Sequence, residues 1–121
     1  ESAAHGAAMH EYSLVSALLD RVEREAREHQ AVAVARVRLR VGDLAGVEPD
    51  LLRTAFEMAR AGTVCAGAEL ELVAVPARWA CRGCAAPIAA GERLACPACG
   101  EPAKLVEGDE LILDRLEMEV A

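Results

Sequence analysis

The chain has 121 residues, 54% of them hydrophobic and only 2% aromatic, and a formal net charge of −7 at pH 7. Its length fits one compact domain with at most a small insert. The negative charge argues against a general nucleic-acid binder, because such proteins need a basic surface to displace counterions from phosphate groups. We find no apolar run of about 18 residues that could span a membrane, and we recognise no signal peptide. We therefore expect a cytoplasmic protein that binds neither membranes nor nucleic acid.

The first eight residues differ from the rest of the chain, because they are small and unpatterned, and Met9 follows them. We interpret residues 1–8 as a tag or linker remnant and Met9 as the natural start. A genuine disordered terminus is the alternative. The distinction matters because only a chain that begins at Met9 carries a free amine beside His10.

The first predicted element is an amphipathic helix from Glu11 to about Glu28. Its apolar side chains recur at steps of three and four, which is the helical period: Leu14, Val15, Leu18, Leu19 and Val22. Between Val32 and Val41 the pattern changes to alternation, with arginines at every second position of its later half. That period of two predicts a strand with one solvated face.

A second helix is predicted to begin near Pro49, which suits a first helical turn, and to end near Gly62. Alternation returns in segments 69–74 and 111–120, which we interpret as two further strands. The apolar phase of the last strand slips by one near Asp114, which indicates a β-bulge. The expected fold class is α+β: a three-stranded sheet covered by two helices, with a cysteine-rich insert between its last two strands.

Four cysteines form two C-x-x-C pairs, Cys81–Cys84 and Cys96–Cys99, separated by eleven residues. A C-x-x-C turn places two sulfurs on one ion, and two such turns complete the tetrahedron of thiolates that zinc accepts. Because the protein supplies all four ligands, no position stays open for water or substrate, and we expect a structural zinc ion. Gly100 follows the last cysteine, where a positive φ is often required to aim backbone N–H groups at the sulfurs.

Other interpretations of the cysteines stay open. An iron–sulfur site uses the same ligands. Disulfide-paired cysteines or a redox C-x-x-C agree less well with the sequence, since two pairs are present and neither opens an amphipathic helix. The fifth cysteine, Cys65, is expected to be a small, partly buried side chain in a loop, with a metal or redox role as the alternative.

These elements predict a division of the chain into two parts. Segments 9–77 and 105–121 form an α/β domain, and segment 78–104 forms a zinc-ribbon-like module inserted into it. The two ends of the module have to lie close together, because each end joins a strand of the same sheet.

Met9 and His10 directly precede the first predicted helix. In a chain that begins at Met9, the α-amine and the backbone and side-chain nitrogens of His10 are close enough to chelate one metal ion. Nitrogen donors in a plane suit Ni(II) or Cu(II). Taken alone, the motif is more often explained by a solvated histidine near a terminus.

Several segments of this chain occur together in one known family: Met9-His10-Glu11-Tyr12-Ser13 at the start of a helix, Val41-Gly42-Asp43-Leu44, Phe56-Glu57, and the two C-x-x-C pairs before a short final strand. With this combination, which extends from Met9 to Val120, the chain resembles the HypA/HybF family. The members of that family are the nickel-insertion accessory proteins of NiFe-hydrogenase maturation.

The resemblance implies a nickel metallochaperone that delivers Ni(II) to the hydrogenase large subunit in concert with a nickel-handling GTPase. It implies that His10 is the principal nickel ligand, with Glu11 beside it, and that the four cysteines hold zinc. It also indicates Glu48, at the start of the second helix, as a group for nickel or partner contact. We do not expect an enzyme, because no activated nucleophile is evident and the cysteine site is closed. A zinc-ribbon adaptor that binds protein or RNA without transporting metal is the main alternative.

Overall fold

The computed structural model describes residues 2–89 and 94–121, with side chains from residue 10 onward. Its elements are the helices α1 (Ser2–Glu28) and α2 (Pro49–Ala59) and the strands β1 (Ala31–Gly42), β2 (Glu69–Val75), β3 (Arg78–Cys81), β4 (Pro87–Ile88), β5 (Ala103–Glu107) and β6 (Leu111–Val120). The predicted α+β class is confirmed.

The larger sheet has the strand order β2-β1-β6, with β1 parallel to β2 and antiparallel to β6. A parallel pair requires a crossover connection, and α2 supplies it between β1 and β2. Both helices and one face of this sheet enclose a single hydrophobic core, whose most deeply buried members include Val15, Val22, Val37, Leu39, Leu52 and Phe56. The predicted three-stranded sheet under two helices is thus confirmed.

The opposite face of the larger sheet carries the alternating arginines of β1. Arg36 lies 3.0 Å from a carboxylate oxygen of Glu69, and Arg38 lies 3.3 Å from one of Glu71. Arg38 also lies 3.5 Å from Asp114 on β6. Because these ion pairs are partly exposed, each stabilises the fold by no more than about 1 kcal/mol. They explain why β1 shows a polar period of two in the sequence.

Strand β6 contains the predicted bulge at Asp114. Arg38 of β1 pairs with Arg115, and the next residue of β1, Leu39, pairs with Leu113, so Asp114 is the extra residue between them. The bulge lets Leu113 and Leu116 both pack against the core, although they are three residues apart.

Helix α1 begins earlier than predicted, at Ser2 instead of near Glu11. The backbone of residues 2–8, which we interpreted as a tag or linker remnant, is therefore helical, and Glu1 lies outside the described residues. This segment has no apolar period, but it is rich in alanine, which has the highest intrinsic helix propensity. As a consequence, His10 lies within a helix and not at its first turn.

The cysteine-rich insert forms a second sheet with the strand order β4-β3-β5. Its small core consists of Cys81, Ile88 and Cys96, and Trp79 packs against it. We predicted no strands here, because segments of two to five residues are too short to show a period. Strand β5 extends to Glu107, beyond the predicted end of the module at residue 104. Residues 90–93 of the predicted module lie outside the described residues.

Backbone hydrogen bonds join the end of β1 to the connection between β5 and β6, where the insert re-enters the larger sheet. The N–H of Gly42 donates to the carbonyl oxygen of Glu110 at 2.9 Å, and the N–H of Leu44 donates to that of Gly108 at 2.8 Å. A Cβ atom on Gly42 would lie only 2.3 Å from the carbonyl oxygen of Gly108. Only glycine permits this close approach, which holds the insert against the end of β1.

We expect Gly42→Ala to destabilise the protein by about 1–3 kcal/mol, because the added methyl group overlaps backbone atoms that cannot rotate away. Chemical denaturation followed by circular dichroism measures this change. Gly67→Ala is the matched control, since nothing lies within 4 Å of a Cβ atom at that position. Equal losses of stability in the two variants would contradict the expectation.

Candidate metal centres

The four predicted zinc ligands lie together at one end of the second sheet. Cys81 ends β3 and Cys84 lies in the turn that follows, whereas Cys96 and Cys99 belong to the segment between β4 and β5. Their sulfur atoms all lie within 4.8 Å of one another. Individual separations are 3.2 Å for Cys81–Cys99, 3.8 Å for Cys84–Cys96 and 4.0 Å for Cys84–Cys99.

These separations fit a tetrahedral metal site. Zinc–sulfur bonds of about 2.3 Å at tetrahedral angles place the sulfurs about 3.8 Å apart, close to the observed distances. Four sulfur donors leave no open coordination position, which is the arrangement of a structural site. Donor chemistry alone allows zinc or iron, since both metals accept four thiolates.

The backbone of each C-x-x-C turn is shaped to support a thiolate. The N–H groups of Gly83 and Cys84 each donate to the sulfur of Cys81 at 3.3 Å. The N–H of Ala98 donates to the sulfur of Cys96 at 3.4 Å. The hydrogen bond from the Cys84 backbone is the main cause that lowers the pKa of Cys81 to about 6, so Cys81 favours the thiolate form that binds metal.

A residue with positive φ follows each pair of cysteines. Gly100 has the predicted positive φ, 78°, and its N–H donates to the carbonyl oxygen of Cys96 at 2.8 Å. At the equivalent position of the first turn, Ala85 has a φ of 63°, and its N–H donates to the carbonyl oxygen of Cys81 at 3.0 Å. Alanine gave no signal for this conformation in the sequence, because residues other than glycine rarely adopt it.

Cys65 lies apart from this cluster, in the loop between α2 and β2. Its side chain is fully buried in the core of the larger sheet, and its N–H donates to the hydroxyl oxygen of Thr63 at 3.0 Å. Burial raises the pKa of the Cys65 thiol to about 11, which keeps it protonated near neutral pH. The predicted position in a loop is confirmed, but the side chain is completely buried instead of partly buried.

The first predicted nickel ligand, His10, has an exposed side chain on α1. Within residues 10–89 and 94–121, the four cysteines are the group of potential metal ligands that comes together, and His10 is not part of such a group. The imidazole is thus accessible to an incoming ion but is not surrounded by preformed partners among the described side chains.

The second predicted nickel ligand, Glu11, is buried, with only 1% of its surface exposed. One of its carboxylate oxygens accepts a hydrogen bond of 2.6 Å from the backbone N–H of Glu48, and the other is buried without a partner among the described residues. Glu48 is the N-cap residue of α2 and has no side-chain capping bond. The carboxylate of Glu11 therefore lies at the positive end of α2, where a negative charge is favourable, and it ties α1 to α2.

His10 and Glu11 consequently differ in environment although they are adjacent in sequence. Successive residues of a helix project about 100° apart, so one side chain can face solvent while the next enters the core. The structure brings Glu11 to the backbone of Glu48, a residue 37 positions away. Sequence periodicity offers no signal for such a contact, because it depends on how the two helices pack.

Comparison with known proteins places this chain in one family. The sequence profile described as "Hydrogenase/urease nickel incorporation, metallochaperone, hypA" matches residues 9–118. The hydrogenase maturation factor HypA of Shewanella oneidensis is 41% identical over 115 residues, which cover 93% of this chain and 98% of that protein. HypA of Acidithiobacillus ferrooxidans is 39% identical over 113 residues, which cover 92% and 100% of the two chains.

Solved structures agree with the sequence comparison. The solution structure of the nickel metallochaperone HypA from Helicobacter pylori matches with a TM-score of 0.72 at 30% identity, over 92% of this chain and 98% of that one. A second HypA solution structure matches with a TM-score of 0.76 at 31% identity, over 93% and 98% of the two chains. From the sequence profile, the relatives and the shared fold, we conclude that this chain belongs to the HypA family of hydrogenase and urease nickel-incorporation metallochaperones.

Proposed function

We propose that this chain is a nickel metallochaperone of hydrogenase maturation, which binds Ni(II) near its N-terminal helix and delivers it to the hydrogenase large subunit. The observation that carries the proposal is the family match over residues 9–118. The exposed imidazole of His10 at the start of the matched segment is consistent with it. Nickel is the cargo in this proposal, and the cysteine cluster is a separate site.

His10 is the principal ligand that we propose for nickel. In a chain that starts at Met9, the α-amine and the nitrogens of His10 supply a nitrogen-rich, near-planar set of donors, which suits Ni(II). Glu11 is the second proposed ligand. Its coordination of nickel requires its carboxylate to give up the hydrogen bond from Glu48, or to use the oxygen for which the described part of the chain offers no partner. Glu48 itself has an exposed side chain and stays a candidate for nickel or partner contact.

The metal that we propose for Cys81, Cys84, Cys96 and Cys99 is zinc, in a structural role. Support comes from the sulfur separations, which fit a zinc tetrathiolate, and from the small core of the second sheet, which offers little other stabilisation. The ion would hold β3 and the two turns together. We propose no catalytic role for it and no enzymatic activity for the chain, because four protein ligands leave no position for a substrate.

The proposed partners are the nickel-handling GTPase of hydrogenase maturation and the precursor of the hydrogenase large subunit. The relatives are hydrogenase maturation factors by name, which supports this choice. Within the described residues, neither helix is both long and apolar enough to cross a membrane. We propose that the protein acts in the cytoplasm. We also propose that it does not bind nucleic acid, because its net charge is negative.

A nickel titration tests the proposed function. We expect a chain that starts at Met9 to bind one Ni(II) tightly, the 121-residue chain to bind it more weakly because its Met9 nitrogen is an amide, and His10→Ala to abolish tight binding. His29→Ala is the control, since His29 is also exposed and lies at the other end of α1. Binding should weaken as the pH falls, because protons compete with the metal for the nitrogen donors.

Calorimetry and absorption spectra in the range of nickel d–d transitions measure both affinity and geometry. Equal nickel binding by His10→Ala and the unmodified chain would refute the nickel site and favour an adaptor that transports no metal. If the 121-residue chain binds nickel as tightly as the chain that starts at Met9, and His10→Ala does not bind it, then the imidazole is a nickel ligand and the amine is not.

A further inference from the structure

The four cysteines of the cluster differ in exposure. Cys81 and Cys96 are 0% and 4% exposed and belong to the core of the second sheet, whereas Cys84 and Cys99 are exposed. Each C-x-x-C turn thus buries its first cysteine and presents its second cysteine to solvent. The cluster has a protected side and an open side.

Backbone N–H groups support the sulfurs of both pairs and do not by themselves distinguish the buried cysteines from the exposed ones. Cys81 accepts two N–H groups and Cys96 accepts one, at 3.3 to 3.4 Å. Hydrogen bonds that stabilise a thiolate also reduce its intrinsic nucleophilicity. Access is the larger factor, because an oxidant has to reach the sulfur atom before it can react. An electrophile therefore reacts first on the open side of the cluster, at Cys84 or Cys99.

We propose that Cys84 and Cys99 form an oxidation-sensitive edge of the metal site, at which a peroxide closes a disulfide bond between them and releases the metal. The proposal rests on the zinc content proposed above for the same cluster. It assigns a covalent modification to two of the four ligands and leaves the buried pair, Cys81 and Cys96, reduced.

The chemistry balances with hydrogen peroxide as the oxidant. One exposed thiolate attacks a peroxide oxygen, the O–O bond breaks, and the sulfur becomes a sulfenic acid while hydroxide leaves. The second exposed thiolate then attacks the sulfenic sulfur, so that the S–S bond forms and a second hydroxide leaves. The two sulfurs lose two electrons, and peroxide takes both. Protons from the solvent convert the hydroxides to water.

The geometry allows the second step. The sulfurs of Cys84 and Cys99 lie 4.0 Å apart, so the second thiolate is already beside the first when the sulfenic acid forms. Disulfide formation removes two of the four ligands, and the remaining two thiolates are too few for a stable structural zinc site. Since metal binding supplies folding free energy to small modules of this kind, release of the ion also loosens the second sheet.

Graded oxidation of the zinc-loaded chain tests the proposal. Zinc is first counted by elemental mass spectrometry, and hydrogen peroxide is then added in steps while a chromogenic chelator reports free zinc. The remaining thiols are alkylated and the protein is cut with trypsin. Cleavage after Arg82 and Arg93 separates Cys81, Cys84 and the Cys96–Cys99 pair into three peptides. Fragmentation before Pro97 then distinguishes Cys96 from Cys99.

We expect the first disulfide to join Cys84 to Cys99 and to appear together with the loss of one zinc per oxidised chain. Cys65→Ser is the matched control: it should oxidise in the same order and at the same rate, because the buried Cys65 takes no part. A first disulfide between any other two cysteines, or zinc that stays bound to chains with the Cys84–Cys99 disulfide, would overturn the proposal. Absence of zinc before peroxide is added would refute the metal assignment itself, which is a different failure.

Discussion

Replacement of Cys96 by serine is expected to release the metal and unfold the second sheet while the larger sheet stays folded. Cys96 is 4% exposed, is one of the four proposed metal ligands, and belongs to the small core with Cys81 and Ile88. Structural zinc contributes about 10–16 kcal/mol of apparent binding free energy in small zinc-binding peptides, and the folding of such peptides depends on it. So small a core is not expected to replace that contribution.

Three measurements separate this outcome from general unfolding. Metal content by elemental mass spectrometry should fall from one zinc per chain to none. Trp79 is the only tryptophan of the chain and packs against the core of the second sheet, so its fluorescence should shift to that of an exposed indole. The helical circular dichroism of α1 and α2 should remain, because their core is a separate cluster.

Cys65→Ser is the control for this prediction as well. Its sulfur is fully buried in the core of the larger sheet and is no part of the cysteine cluster. This variant should keep its metal and its Trp79 fluorescence, although it loses some global stability. Full retention of zinc by Cys96→Ser would mean that Cys96 is not a required ligand.

Periodicity predicted the larger sheet because each of its elements is long enough to show a period. The arginines of β1 alternate because one face of the sheet meets solvent, and the bulge at Asp114 was visible as a slip in the apolar phase of β6. The second sheet was not predicted, since its strands contain two to five residues and are too short to show a period.

The candidate sites show the same difference. Contacts between residues close in sequence could be predicted, and contacts between residues distant in sequence could not. The four cysteines could be grouped from the sequence because two short turns fix the positions of all four sulfurs. Glu11 could not be placed, because its burial depends on the packing of α1 against α2 and on a backbone N–H that is distant in sequence, that of Glu48. The exposed position of His10 follows from the same packing, which turns the neighbouring carboxylate inward.

The inward face of α1 shows that helical periodicity alone does not determine how deeply each apolar side chain is buried. The pattern assigns Leu18 and Leu19 to the same apolar stripe, but the structure separates them. Leu19 is 6% exposed and lies in the core, whereas Leu18 is partly buried. Leu18 lines a groove of about 190 Å³ between α1 and β6, together with Leu14, Leu111 and Leu113.

We therefore expect Leu19→Ala to lower the free energy of unfolding by about 2–5 kcal/mol, because it removes three buried carbons and leaves a cavity that the close-packed core cannot fill. Leu18→Ala should cost clearly less, since part of its side chain already contacts solvent and the open groove leaves no enclosed cavity. Urea denaturation of the zinc-loaded variants, followed by the helical circular dichroism signal, measures both changes on the same scale. Equal costs for the two leucines would mean that α1 is rotated relative to the larger sheet. Because such a rotation would also move Glu11 away from the N-terminus of α2, the same comparison tests the environment of the proposed nickel ligands.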